Sequence, residues 1–204
     1  MKGRVAITIC AGILAVLGGS ACSPLSSSGV SSCAIQDMIT GQGAQRNLND
    51  TILEQMLAQS FKATGNVTVT GVSLRLISTY AGTTPPNLAL SLAIQGDAAT
   101  AGPNAASTPN GVALGTGGLS TTKISNLFPS TYVFSGFTSI TLTANNYYWL
   151  VLSEPGASPS STTFISWEAD ATPTQLWPAL VSSGVLAPIW TAVPSLIFNF
   201  SVGC

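Results

Sequence analysis

"STYVFSGFTSITLTANNYYWLVLSEPG" (Ser130–Gly156) sets apolar side chains at alternate positions, and that period decides the fold. Tyr132 and Phe134 share one phase, and Ile140 and Leu142 share another. Successive side chains on a strand point to opposite faces, so alternation marks a half-buried strand. Asn145-Asn146 turns the chain, Tyr147–Leu152 is the most apolar strand, and Pro155-Gly156 ends it.

The same period extends in both directions. "NVTVTGVSLRLISTY" (Asn66–Tyr80) is rich in β-branched residues, and Gly71 breaks its phase as a bulge or turn would. "NLALSLAIQG" (Asn87–Gly96) repeats the alternation through Leu88, Leu90, Leu92 and Ile94. Asp97–Gly118 is rich in Gly, Ala, Pro, Asn and Thr, which predicts loop, with one edge strand at Val112–Leu114. "TTFISWEAD" (Thr162–Asp170), "PIWT" (Pro188–Thr191) and "SLIFNFSV" (Ser195–Val202) add further strands. In the last, Leu196, Phe198 and Phe200 share a face. "DTILEQMLAQSF" (Asp50–Phe61) predicts a short helix capped by Asp50 that gives way to the first strand, Leu57–Phe61. About nine strands punctuated by turns, without β-to-helix alternation, predict an all-β fold. The expectation is a jelly-roll-like antiparallel β-sandwich over residues 34–204.

The start of the chain reads differently. Lys2 and Arg4 precede an uncharged apolar run, Val5–Leu17, and Gly18–Ala21 supplies small residues. Positive, apolar and small-residue regions in that order predict a secretory signal over residues 1–21. The run falls short of the roughly 20 apolar residues that span a bilayer. Ala21-Cys22-Ser23 also resembles a bacterial lipoprotein signal, in which a diacylglycerol is carried on the cysteine; ordinary cleavage after Ala21 is the alternative. Residues 22–33 then hold the lipidation site, Cys22, and a Ser-rich flexible tether. Cys10 leaves with the signal, so lipidation of Cys22 leaves Cys33 and Cys204 as a pair that brackets the globular region. An exported chain allows that pair to oxidise.

Beyond Ala21 four basic residues face seven acidic ones, a net charge of −3. With no basic patch to hold phosphates, nucleic acid is not an expected partner. The chain has no histidine, the commonest general base and metal ligand. Neither a cofactor nor a metal is expected. Serines lack a GxSxG elbow, and "NGVALGTGG" (Asn110–Gly118) lacks the strand–helix setting of a phosphate loop. Glu168 and Asp170 lie two apart on a strand and share a face, the one arrangement fit for paired-carboxylate hydrolysis or calcium. A solvated polar face or a loop edge is the plainer reading of the two acids. Among the tryptophans, Trp149 belongs to the core, while Trp177 and Trp190 flank a loop and are the candidates for ligand contact. Asn49, Asn66 and Asn199 head N-x-S/T triplets of the kind that chance supplies in a chain rich in Ser and Thr.

From Leu57 to Val202 the chain resembles the choice-of-anchor R domains of bacterial surface proteins. The resemblance runs through "LAQSF", "GVSLRL", "LALSLAI", "SITLTANNYYWLVL", "FISWEA" and "PIWTAVPSLIFNFSV". It implies a β-sandwich at a surface and brings no catalytic residue. The expected function is therefore non-enzymatic: an exported protein of the cell envelope, anchored by lipid or extracellular, for adhesion, envelope structure, or binding of a glycan or surface protein. A carbohydrate-active hydrolase using Glu168 or Asp170, or a secreted structural subunit without an anchor, are the alternatives.

Overall fold

The computed structural model describes residues 44–49, 55–83, 87, 89–98, 107–157, 160–170, 179–183, 188–193 and 196–204. The signal, Cys22, Cys33, the Ser-rich tether, the Asp50-capped helix and Trp177 lie outside the described residues.

The protein is an all-β antiparallel sandwich, with fourteen strands among the described residues rather than about nine. One six-stranded sheet runs β12 (Trp190–Val193), β11 (Ala179–Ser182), β2 (Met56–Lys62), β9 (Tyr147–Ser153), β5 (Ala89–Asp97), β6 (Pro109–Ser120). The facing sheet runs β1 (Ala44–Leu48), β10 (Phe164–Asp170), β4 (Gly71–Thr79), β14 (Phe200–Gly203). In it β13 (Ile197–Phe198) pairs with β10, and β7 (Ser130–Phe134) pairs with β4. β3 (Val67–Val69) and β8 (Ile140–Leu142) form a two-stranded ribbon.

Alternation explains the core. Leu57 and Phe61 of β2, Leu90, Leu92 and Ile94 of β5, and Leu150 and Leu152 of β9 face inward from one sheet. Leu74 and Leu76 of β4, Ile165 and Trp167 of β10, and Phe198, Phe200 and Val202 meet them from the other. Gln59, on the same inward face as Leu57 and Phe61, is fully buried. Its Oε1 accepts the Phe198 N–H at 2.8 Å, which ties the two sheets together through a hydrogen bond.

The Gly71 break is present: β3 ends at Val69 and β4 begins at Gly71. Asn145 takes φ 67° in the turn before β9, a left-handed geometry that Asn tolerates.

Two strands differ from expectation. β1 sits where no strand pattern was read; its pairing with β10, Ala44↔Ala169 to Leu48↔Ile165, makes it a strand. β6 spans twelve residues where mostly loop was expected. Its glycines mislead because they are packing positions. A Cβ at Gly117 would stand 2.5 Å from the Phe137 ring, and one at Gly115 would strike the Ile140 side chain. Phe137 and Ile140 fill the space that side chains on β6 would have taken, and pairing with β5 supplies the order that composition does not.

Candidate ligand groove

β6 and β7 are outer strands of opposite sheets, and they touch at one bridge, Gly118↔Ser135. The Gly118 N–H donates to the Ser135 carbonyl at 3.1 Å. Beyond that bridge the strands part around an open groove of about 460 Å³, within the range of small-ligand sites. Leu90, Leu119 and Val133 give it apolar surface; Ser120, Ser135 and Lys123 give it polar groups.

Local structure fixes these walls. The 3-10 turn Thr121–Lys123 follows β6 directly and carries Lys123 outward. Ile124 is buried beneath it. Ser125 is held three ways: its N–H donates to the Tyr132 hydroxyl at 2.7 Å, its carbonyl accepts the Ser78 N–H at 2.9 Å, and its hydroxyl accepts the Leu127 N–H at 3.1 Å. The following Leu127 and Phe128 stand 80% and 62% exposed. A firmly bonded base thus presents two apolar side chains to solvent.

The carboxylate pair is placed elsewhere. Glu168 and Asp170 do lie on one face of β10, but Glu168 is buried and forms an ion pair with Arg75 of β4. The pair spans a fork. β4 pairs with β10 along Leu76–Thr79 and with β14 along Gly71–Leu74. Asn199 sits at the split: its N–H donates to the Glu168 carbonyl at 2.9 Å, and its own carbonyl accepts the Trp167 indole N–H at 2.8 Å. Asn199 is buried there, because this bonding encloses it. Asn49 is buried too, whereas Asn66 is exposed.

Trp149 is fully buried, as expected of a core residue, but it belongs to a second cluster. Together with Met56, Ala58, Val151 and Leu180 it occupies the opposite face of the β2–β9 sheet from the central core. Trp190 is half-buried and packs against this cluster, away from the groove lining. Cys204 is disulfide-bonded, and its partner lies outside the described residues.

The groove residues carried no sequence signal as a set. Lys123 stood out only as one of four cations, Ser120 fell between the stretches that were read, and Val133 and Ser135 lay within the alternation of Ser130–Gly156. They come together through strand pairing alone. Among the described residues no group of three metal-ligating side chains forms. No family model, no curated protein and no solved structure matches the chain.

Proposed function

We propose that this protein is a non-enzymatic, exported β-sandwich, anchored to a membrane through a lipid on Cys22, that binds a ligand or surface partner in the β6–β7 groove. The groove carries this reading. Its hydroxyls, one ammonium and an apolar floor suit recognition of a polar chain with small apolar groups. Glu168, the acid around which hydrolysis would be built, is committed to Arg75. The order of signal, Cys22 and Ser-rich tether supports attachment outside the cytoplasm. The resemblance to choice-of-anchor R domains supports the same location. One acyl chain binds membranes marginally and two or more hold firmly, so diacylglycerol on Cys22 accounts for the tether behind it.

Intact mass of the mature protein tests the anchor. Cleavage before Cys22 with an added diacylglycerol mass is expected, and an unmodified Cys22 overturns the anchor. Glycan-array and peptide screens with the wild-type domain and Lys123→Glu test the groove. Binding that Lys123→Glu weakens supports it, and silence in both screens overturns it. Hydrolytic turnover lost in Glu168→Gln would replace the whole reading with an enzymatic one.

A further inference from the structure

The groove walls are strand edges, and their hydrogen-bonding phase is set by the bridge. In an antiparallel ladder the main-chain groups of alternate residues point to the same side. The Gly118 N–H points away from β5, toward Ser135. Two residues on, Ser120 therefore turns its N–H into the groove, while its carbonyl serves the 3-10 turn Thr121–Lys123 that follows. On the opposite wall the Ser135 carbonyl points at β6, so Val133 turns its main-chain groups inward as well. On this wall the lining includes Val133 and Ser135 but not the intervening Phe134, whose side chain is buried in the core; on the β6 wall Gly118, Leu119 and Ser120 all line it.

We propose that the groove takes an extended peptide carrying a carboxylate, added as a strand between β6 and β7. This rests on the reading above and names the class of partner. Two facing main-chain edges give an extended chain hydrogen bonds on both sides, and alternate side chains supply specificity. Val133, 43% exposed, and the partly buried Leu119 offer apolar contact. Among the described residues Lys123 is the only charged one in the lining, which selects an acid on the occupant. β6 contains no charged residue over its twelve positions. Natural sheets usually protect an exposed edge with charge, so its absence leaves this one open to pairing. Gly118 keeps the edge bare: a Cβ there would meet only the Leu90 carbonyl, at 3.7 Å.

A displayed hexapeptide library with Glu fixed at one position, and a matched library with Lys there, are selected on the full mature protein. The variants are Ser120→Pro and Val133→Pro, each removing one groove-facing N–H while sparing the ladder to β5 or β4, and Lys123→Glu. The wild type is expected to enrich the Glu library. A selected peptide should lose at least tenfold affinity in each proline variant, and Lys123→Glu should turn the preference to the Lys library. Amide resonances of Ser120 and Val133 should shift on binding. Should a proline variant fail to fold, the charge swap at exposed Lys123 and the amide shifts in the wild type carry the test. Enrichment indifferent to all three variants overturns the proposal. Glycan binding at Lys123 with no peptide selected overturns strand addition and leaves the groove a ligand site; silence from glycans and peptides overturns both.

Discussion

Glu154 has its carboxyl buried where β9 ends, and the Asn49 side-chain amide donates to it at 3.2 Å. Burial raises its pKa above the ordinary carboxylate range, and the Asn49 hydrogen bond offsets part of that rise. The sign follows from linkage. Between the ordinary and the raised value the folded state binds more protons than the unfolded one, so stability falls as pH rises through that window and levels off above it. Glu154→Gln keeps an oxygen for Asn49 and removes the ionisation. Against the wild type, it should be increasingly the more stable protein as pH rises from about 4, near the reference carboxylate value, toward neutrality. Urea melts at a series of pH values measure this, and parallel curves for the two proteins would refute the assignment. Glycines on β6 give a second test by contrast. Gly117→Ala drives a Cβ to 2.5 Å from the Phe137 ring and should cost about 1–3 kcal/mol. Gly118→Ala meets only ordinary contact and should change stability by no more than about 0.5 kcal/mol. Equal thermal shifts for the two would sink the claim that Phe137 is why Gly117 is glycine.

Strands were legible where apolar side chains alternate with polar ones in the sequence. β4, β5, β8 and β10 follow from alternation because each sets Leu, Ile, Val or Trp against the central core at every second position. β6 was read mostly as loop because its inward face is made of glycine filled by Phe137 and Ile140, so the apolar signal lies on a different stretch of chain. β1 was missed because a short edge strand is set by its partner, and half its side chains have no apolar face to meet. The fork between β4, β10 and β14 was illegible for the same reason: local sequence does not record which strand lies beside which. Its ion pair makes a prediction at this scale. Arg75→Met leaves the Glu168 carboxylate in a nearly buried site without its cation. Arg75 keeps 26% of its side chain exposed, so solvent screens part of the loss. A destabilisation of about 1–3 kcal/mol is expected, below the range for fully buried pairs. Arg75→Met with Glu168→Met removes both charges and should recover most of it. A double-mutant cycle by chemical denaturation measures the coupling, and additive losses would show that the two residues act separately.

At the scale of the whole molecule the last strand leads straight into Cys204. β14 pairs with the start of β4, and the Gly203 carbonyl accepts the Thr70 N–H at 2.9 Å, so the end of the chain is fixed into the facing sheet. Cys204 itself is exposed and disulfide-bonded. Of the cysteines that remain beyond the signal, a lipid on Cys22 leaves Cys33 as the partner we propose. Such a bond closes nearly the entire sandwich into one loop, and in the chain-entropy view long loops gain most: about 4–5 kcal/mol. Cys204→Ser should therefore lower stability by several kcal/mol in oxidising buffer and by nothing in a strong reductant. Cys33→Ser should lower it by the same amount, and the double variant by no more than either alone, because each removes the same bond. Peptide mapping of the non-reduced protein reads the partner directly. A Cys22–Cys204 peptide in its place would remove the proposed lipid together with the pairing, since one sulfur cannot carry both. The bond at Cys204 thus bears on the anchor at the other end of the chain.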